Sequence, residues 1–100
     1  MPKLSLTVPH QLDVKEAARR LKDRYDAVKA EHGGQIKDLE EHWDGQTLRC
    51  RFRVFGVQVE GKVAAETTAV RVDAQLPLAA TVFKGLIEKR VRDELGKLLA

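Results

Sequence analysis

Arginine occupies every second position from 49 to 53. Successive side chains of a strand point to opposite sides, so Arg49, Arg51 and Arg53 would share one face of an extended segment. Arg71 lies in a later segment of the same period and is expected on that face. Guanidinium groups bind carboxylates and phosphates in bidentate pairs. These four residues form a candidate partner-contact surface for an acidic protein, a phosphate-bearing ligand or a membrane surface. The alternative is a solvated face whose charge nearby carboxylates partly offset.

The other residues capable of chemistry do not form a recognisable site. The histidines His10, His32 and His42 are far apart, with no i,i+4 pair and no neighbouring cysteine, which argues against a zinc site. Ser5 is the only serine and lies in a predicted strand, and there is no glycine-rich phosphate loop. The sequence therefore predicts no catalytic residue, no metal and no cofactor.

One carboxylate and one thiol leave an enzymatic alternative open. Cys50 alternates with the arginines and should point inward, where a lone cysteine is usually a buried structural thiol. Glu41 belongs to a segment of imperfect alternation. If it faces inward near Cys50, its pKa would be raised and it would be a candidate for acid–base chemistry. If it faces water, it is an ordinary glutamate of an edge strand.

Three runs of alternating apolar and polar residues between 46 and 76 must position these side chains. They predict an antiparallel meander with two-residue turns at Phe55-Gly56 and Thr67-Thr68. A slip of one residue would set core side chains against solvated ones, so the register is well specified. The predicted opposite pairs are Val54 with Val57, Phe52 with Val59, Ala65 with Val70, Arg51 with Glu60, and Lys62 with Asp73.

The segment before this meander is less regular. In a regular strand Glu41 and Trp43 would share one face and Ile36 would lie on the other. This imperfect alternation predicts a bulge between 35 and 43. Asp44-Gly45 is a hairpin signal. An ideal two-residue loop there would place Trp43 on the arginine side of the sheet. Either the loop is longer, or Trp43 covers the outer face.

Two helices and one further strand complete the pattern. Residues 4–8 alternate as a short strand, and Asp13 with Glu16 resembles a capping box that opens a helix over roughly 13 to 32. A second helix should start near Leu78, after Pro77, and run close to the C-terminus, with an apolar stripe long enough to lie across the sheet.

This second helix should cover the inward face of the sheet, because a small domain cannot leave that face open. Phe52 and Val59 should then be among the most buried residues. Any partner contact would use other surface, including a rim at Leu98 and Leu99. The helix residues expected to be mostly buried are Phe83, Leu86, Ile87 and Val91, of which Phe83, Leu86 and Ile87 form a candidate apolar ligand or core-helix surface.

The elements give an α+β fold of order β-α-β-β-β-β-α. Because the segment at 36–43 is charged and irregular like a sheet edge, the first strand should pair with the last. This predicts a five-stranded antiparallel sheet of order 1-5-4-3-2 with both helices on one face. One hundred residues, 43% hydrophobic and 33% charged, predict one soluble domain over 1–100. With no secretory signal, no transmembrane run and a net charge of only +3, a cytoplasmic protein without a nucleic-acid partner is expected.

Several short segments together resemble a known family. They are residues 2–10, 16–21, 38–41 with Trp43, 56–57 with Val59 and Gly61, 76–79, 83–85, 87–88 and 98–99. On these segments the chain is similar to the polyhydroxyalkanoic acid system family, small bacterial proteins associated with polyhydroxyalkanoate metabolism and granules. The resemblance covers nearly the whole chain but includes no catalytic signature, and the arginine stripe is not part of it. The element order also resembles a reduced helix-grip fold, whose larger members hold apolar ligands between helix and sheet.

The resemblance implies a non-enzymatic accessory protein that contacts the polyhydroxyalkanoate granule, its synthase or another granule protein. The alternative is a helix-grip-like module that binds a small apolar or acyl ligand between the second helix and the sheet. A third hypothesis, an enzyme, would need Glu41 or a histidine in a pocket, and it has the least support.

Overall fold

A computed structural model of the chain describes residues 3–54 and 56–100. The sheet strands are β1 (Lys3–Pro9), β2 (Ile36–Asp44), β3 (Thr47–Val54), β4 (Val57–Ala65) and β5 (Ala69–Gln75). The helices are α1 (Val14–His32), a 3₁₀ helix (Leu78–Phe83) and α2 (Lys84–Leu98). All strand pairs are antiparallel and the spatial order is β1-β5-β4-β3-β2. The predicted α+β fold and strand order are therefore confirmed.

The predicted register of the meander is also confirmed. Phe52 lies opposite Val59 and Val54 opposite Val57, while Ala65 lies opposite Val70. The two charged pairs, Arg51 with Glu60 and Lys62 with Asp73, are in register as well. Of the predicted Phe55-Gly56 turn, Phe55 lies outside the described residues.

Strand β2 contains the predicted bulge. The pairing with β3 shifts between Lys37 and Glu40, and Asp38 in this gap has a φ of 53°. Aspartate tolerates the left-handed region better than most residues because its short side chain can hydrogen-bond locally. Because the bulge adds one residue to β2, Glu41 and Trp43 point to the same face as Ile36, although they differ from it by an odd number of positions.

The position of Trp43 corrects the sequence analysis. The hairpin turn is one residue later than predicted, at Gly45-Gln46, since Asp44 pairs with Thr47. Gly45 has a φ of 61°, the positive φ that a type II′ turn requires at its first central residue. Trp43 consequently lies opposite the buried Leu48 and belongs to the inner face, the side of the sheet that carries the helices.

The core lies between the helices and the half of the sheet formed by β1, β5 and the adjacent end of β4. Leu4 and Val70 are the largest fully buried side chains. They pack with Ala17 and Leu21 of α1 and with Leu95 of α2. The other buried apolar residues of this cluster are Leu6, Val8, Ala65, Val72, Leu76 and Leu99.

Two expectations about the core were wrong. Phe52 and Val59 are only partly buried, and Phe83 and Leu86 are exposed, whereas Ile87 and Val91 are partly buried against the core. The reason is the placement of α2, which lies mainly over the edge strand β1 rather than across the centre of the sheet.

The start of the second helix also differs from the prediction. Residues from Leu78 to Phe83 form a 3₁₀ helix, and the α-helix begins only at Lys84. Thr81 and Val82 are β-branched, which lowers their preference for an α-helix, and Gly85 adds a further cost in the first α-helical turn.

Polar contacts fix the C-terminal half of α2 to α1. Arg20 donates from Nη1 to the carbonyl oxygens of Leu98 and Ala100, each at 3.0 Å. The Arg24 guanidinium lies 3.8 Å from the Glu94 carboxylate. Together with the burial of Leu95, these contacts hold one end of α2, while the other end extends to the exposed 3₁₀ helix.

The predicted capping box does not form at the start of α1. Asp13 is the N-cap residue but makes no side-chain capping bond. Glu16 accepts hydrogen bonds from Arg19 and Arg20 instead. These bonds, that of Arg19 first, lower the pKa of Glu16 to about 2.

Leucine-to-alanine substitutions at two positions test this packing. Leu4→Ala should lower the free energy of unfolding by about 2–5 kcal/mol, because it removes a buried side chain from the core. Leu86→Ala, the matched control at a side chain 68% exposed, should change it by no more than about 0.5 kcal/mol. Urea unfolding of both variants provides the measurement. Equal losses would mean that the start of α2 packs on the sheet in solution.

Candidate functional site

The candidate arginines lie on the outer face of the sheet, opposite the helices. Arg49, Arg51 and Arg53 project from β3 and are exposed, and Arg71 is exposed on β5, two strands away. The structure therefore brings all four to one face, with β4 between Arg71 and the other three.

Three of these four arginines are paired with carboxylates. Arg51 lies between Glu40 and Glu60, at 3.5 and 3.6 Å. Arg53 lies 3.6 Å from Asp38, and Arg71 lies 3.2 Å from Asp73. Exposed pairs of this kind contribute about 0–1 kcal/mol each. Their main effect is to occupy the carboxylates of the outer face.

Arg49 has different neighbours. Its cross-strand partners are His42 on β2 and Lys62 on β4, so three basic side chains stand side by side on adjacent strands. We call His42, Arg49 and Lys62 the basic row. Within the described part of the chain, neither Arg49 nor Lys62 has a carboxylate oxygen within 4.0 Å.

The basic row lines a shallow concavity of about 760 Å³ on the outer face. Its walls also carry residues of both charges from β1, β2 and β5, including Lys3, Glu40 and Asp73. The volume is in the range of small-molecule sites, but the concavity is open to solvent and its lining is a mixture of polar and apolar surface.

Glu41 forms a polar cluster on the inner face. It lies opposite Cys50, which is the inward position that the sequence left open as one of two alternatives. Tyr25 of α1 donates its hydroxyl to Glu41 Oε2, and Lys29 Nζ lies 3.0 Å from Oε1. The Lys29 ammonium also lies 5.1 Å from the centre of the Tyr25 ring. The cluster connects the C-terminal half of α1 to the edge strand β2.

The expected raised pKa of an inward Glu41 was wrong. The hydrogen bond from Tyr25, followed by that from Lys29, stabilises the carboxylate and lowers the pKa of Glu41. The pKa of Tyr25 is raised by burial first and by its hydrogen bond to Glu41. Glu41 is thus held in its ionised form, with both oxygens engaged, which does not suit a general acid.

Cys50 is partly buried, and its thiol is poorly suited to nucleophilic chemistry. Burial, followed by the negative charge of Glu41, raises the pKa of Cys50. The thiolate is the reactive form of cysteine, so this environment reduces reactivity.

His10 has a structural environment that the sequence did not indicate. It is buried, and its Nδ1 accepts from the backbone N–H of Leu12 at 3.0 Å. This leaves Nε2 as the donor to the carbonyl oxygen of Glu66, at 2.8 Å. The ring thereby ties the end of β1 to the turn between β4 and β5. Across residues 3–54 and 56–100 no group of three potential metal ligands is found.

The large exposed hydrophobic side chains of the described residues all lie in one segment, from the start of the 3₁₀ helix to the first turn of α2, and we call these four residues the apolar ridge. Leu78 is 79% exposed, Val82 82%, Phe83 57% and Leu86 68%. Phe83 and Leu86 are three residues apart where the 3₁₀ helix continues into α2, Val82 is next to Phe83, and Leu78 lies four residues before Val82 at the start of the 3₁₀ helix. The exposure of these residues could not be predicted from the sequence, because an amphipathic stripe does not reveal which part of it packs against the sheet.

A second concavity, of about 270 Å³, lies beside the start of the 3₁₀ helix. It is lined in part by Gly56, Val57, Pro77 and Ala79. Neither of the two concavities described lies beneath Phe83 and Ile87, where the ligand-module hypothesis would place its ligand.

The helices described here are also too short or too polar to cross a bilayer; none qualifies as a membrane span.

Comparisons with known proteins give one extensive match in sequence. The profile of a family described as "Putative polyhydroxyalkanoic acid system protein" matches residues 4–99. No curated protein is significantly similar to the chain. Among solved structures, the chain is similar to the crystal structure of TTHA0849 from Thermus thermophilus, with 16% identity, a TM-score of 0.44, and coverage of 98% of this chain and 92% of that chain.

The Tyr25–Glu41 contact can be tested by titration. Tyr25→Phe should raise the pKa of Glu41 toward the ordinary glutamate value of about 4.3, because it removes the hydroxyl that contributes most to the lowering. NMR titration of the side-chain carboxyl carbons measures this change. Glu16, held by Arg19 and Arg20 at a pKa of about 2, is the internal control and should not move.

The same substitution should alter stability in a defined pH range. A carboxylate with a lowered pKa in the folded state stabilises the protein above its unfolded pKa, and this contribution is lost as pH falls through the folded pKa. The wild type should therefore exceed Tyr25→Phe in stability at neutral pH, and the Glu41 contribution should vanish in acid. An unchanged Glu41 pKa in the variant would show that the hydroxyl bond is absent in solution.

Proposed function

The chain belongs to the polyhydroxyalkanoic acid system family, and on that premise we propose that it is a non-enzymatic accessory protein that contacts the granule surface through the apolar ridge. In this proposal it acts as a single cytoplasmic domain. The observation that carries the proposal is the exposure of four large apolar side chains between positions 78 and 86.

The apolar ridge has the properties of an interfacial contact. Exposed apolar side chains that cluster on a soluble protein commonly mark an interaction surface. Residues 74–83 contain no charged side chain, and basic residues follow directly in α2, at Lys84, Lys89 and Arg90. Interfacial helices combine an apolar face with such basic flanks. A polyester granule offers an apolar surface of matching chemistry.

The burial available at the ridge is energetically significant. Fully burying one Leu, Val or Phe side chain contributes about 1.5–3 kcal/mol. In the free protein these side chains leave most of that contribution unused, because they are 57–82% exposed. Contact with an apolar surface would recover part of it without rearrangement of the core.

The ridge spans the 3₁₀ helix and the first turn of α2, and the far end of α2 is anchored in the core. Leu95 and Leu99 are buried in the core, so the C-terminal half of α2 is required for packing. This also corrects the expected contact rim, since Leu99 is 5% exposed and Leu98 is partly buried. Point substitutions in the ridge therefore test the proposal better than truncation after Leu78, which would remove part of the core.

The other hypotheses receive less support from the geometry. An acyl ligand between α2 and the sheet would need a cavity there, and the two concavities described lie elsewhere. An enzyme built on Glu41 would need a free carboxylate, whereas Tyr25 and Lys29 engage both of its oxygens. Contact with a granule is the function that the ridge supports best.

Substitution of two ridge residues tests granule contact. Phe83→Ser combined with Leu86→Ser should reduce cosedimentation with polyhydroxyalkanoate particles at least about tenfold, since about 1.4 kcal/mol of lost binding corresponds to that factor. The control is Ala27→Ser with Ala30→Ser, at two exposed positions of α1, which should bind like the wild type. Circular dichroism should show all three proteins folded. Undiminished binding of the folded ridge variant would contradict the proposal.

A further inference from the structure

The basic row places the charges of Arg49 and Lys62 directly opposite each other on the outer face. Arg49 pairs with Lys62 across β3 and β4, and with His42 across β2 and β3. Directly opposite side chains in an antiparallel pair have Cβ atoms about 4.5–5.5 Å apart, and like charges at this separation destabilise the pair. The row is therefore an unfavourable arrangement for the sheet alone.

The carboxylates that could relieve this repulsion are engaged elsewhere. Asp73 is the cross-strand partner of Lys62, yet it accepts from the Ser5 hydroxyl at 2.7 Å and pairs with Arg71 at 3.2 Å. Glu40 and Glu60 both pair with Arg51, one position along from Arg49 on the same face. Since these three acids are held by other partners, Arg49 and Lys62 remain without a counter-ion among the described residues.

We propose that the basic row binds the oxyanion group of a small organic anion, a phosphate or a carboxylate. This site lies on the face opposite the helices and does not depend on the proposed granule contact. The guanidinium of Arg49 can donate to two oxygens of one group, and the ammonium of Lys62 can donate to a third oxygen of a phosphate or to one of the two oxygens of a carboxylate. His42 adds a ring nitrogen on the far side of Arg49. The surrounding concavity, about 760 Å³, has room for the organic part of such an anion.

Titration of the whole chain with two anions tests the site. Isotope-labelled protein is titrated with sodium phosphate and, separately, with sodium acetate, with sodium chloride added to keep the ionic strength constant. We expect saturable shifts of the amide signals of His42, Arg49 and Lys62 and an increase in the thermal midpoint. The anion that binds more tightly identifies the group as phosphate or carboxylate.

Three substitutions, each of which removes one positive charge, distinguish binding at a specific site from attraction by the overall charge. Arg49→Gln and Lys62→Gln should weaken binding at least tenfold, whereas Arg53→Gln, on the same strand but paired with Asp38, should change it less than twofold. Without added anion, Lys62→Gln should be at least as stable as the wild type, because it removes the repulsion from Arg49. All of these results together would support the site.

Several results would overturn the proposal. If Arg53→Gln weakened anion binding as much as Arg49→Gln and Lys62→Gln, the binding would be explained by the overall positive charge. Shifts spread over the whole outer face would do the same. The absence of saturable binding by both anions would also exclude the site, and an acidic protein surface would then be the remaining partner class for these arginines.

Discussion

The structure depends on the register of β3 against β4. Phe52 opposite Val59 and Val54 opposite Val57 fix which residues face the helices. The same pairing sets Arg51 opposite Glu60 and Arg49 opposite Lys62 on the other side. Because side chains alternate along a strand, no shift of one residue could improve the charged face without placing apolar residues in water. The repulsion within the basic row is thus maintained by the burial on the inner face.

The sheet could be predicted from the sequence because its signals are local. Alternation at a period of two gave the strands and their register, and the charged segment containing Glu40 indicated the edge. The face occupied by Trp43 could not be predicted, because moving the turn at Gly45 by one residue reverses the direction of every side chain that precedes it in β2. A turn of two residues is too short for composition alone to fix its position.

The packing of the helices could not be predicted in the same way. The stripe of α2 is continuous in sequence, but only its C-terminal half contacts the core closely, because the helix lies over β1. Whether Phe83 is covered depends on the angle at which α2 leaves the 3₁₀ helix, which no local pattern specifies. The Tyr25–Glu41 contact likewise joins residues of two elements whose relative direction is set by the whole core. The two proposed surfaces result from this arrangement, with the sheet between them, so each could be occupied without blocking the other.

The bulge in β2 has a consequence for crowding. Strand β2 is an edge, with one row of backbone groups unpaired by the rest of the sheet. Under the proposed granule contact, copies of the protein would reach a high local density, where a regular edge strand would act as a template for chain-to-chain polymerisation. The shifted pairing between Lys37 and Glu40, together with the left-handed Asp38, interrupts that template near the start of β2. The irregularity in this strand removes one edge of the sheet as a template, while the other edge, β1, has no bulge in its pairing with β5 between Lys3 and Pro9.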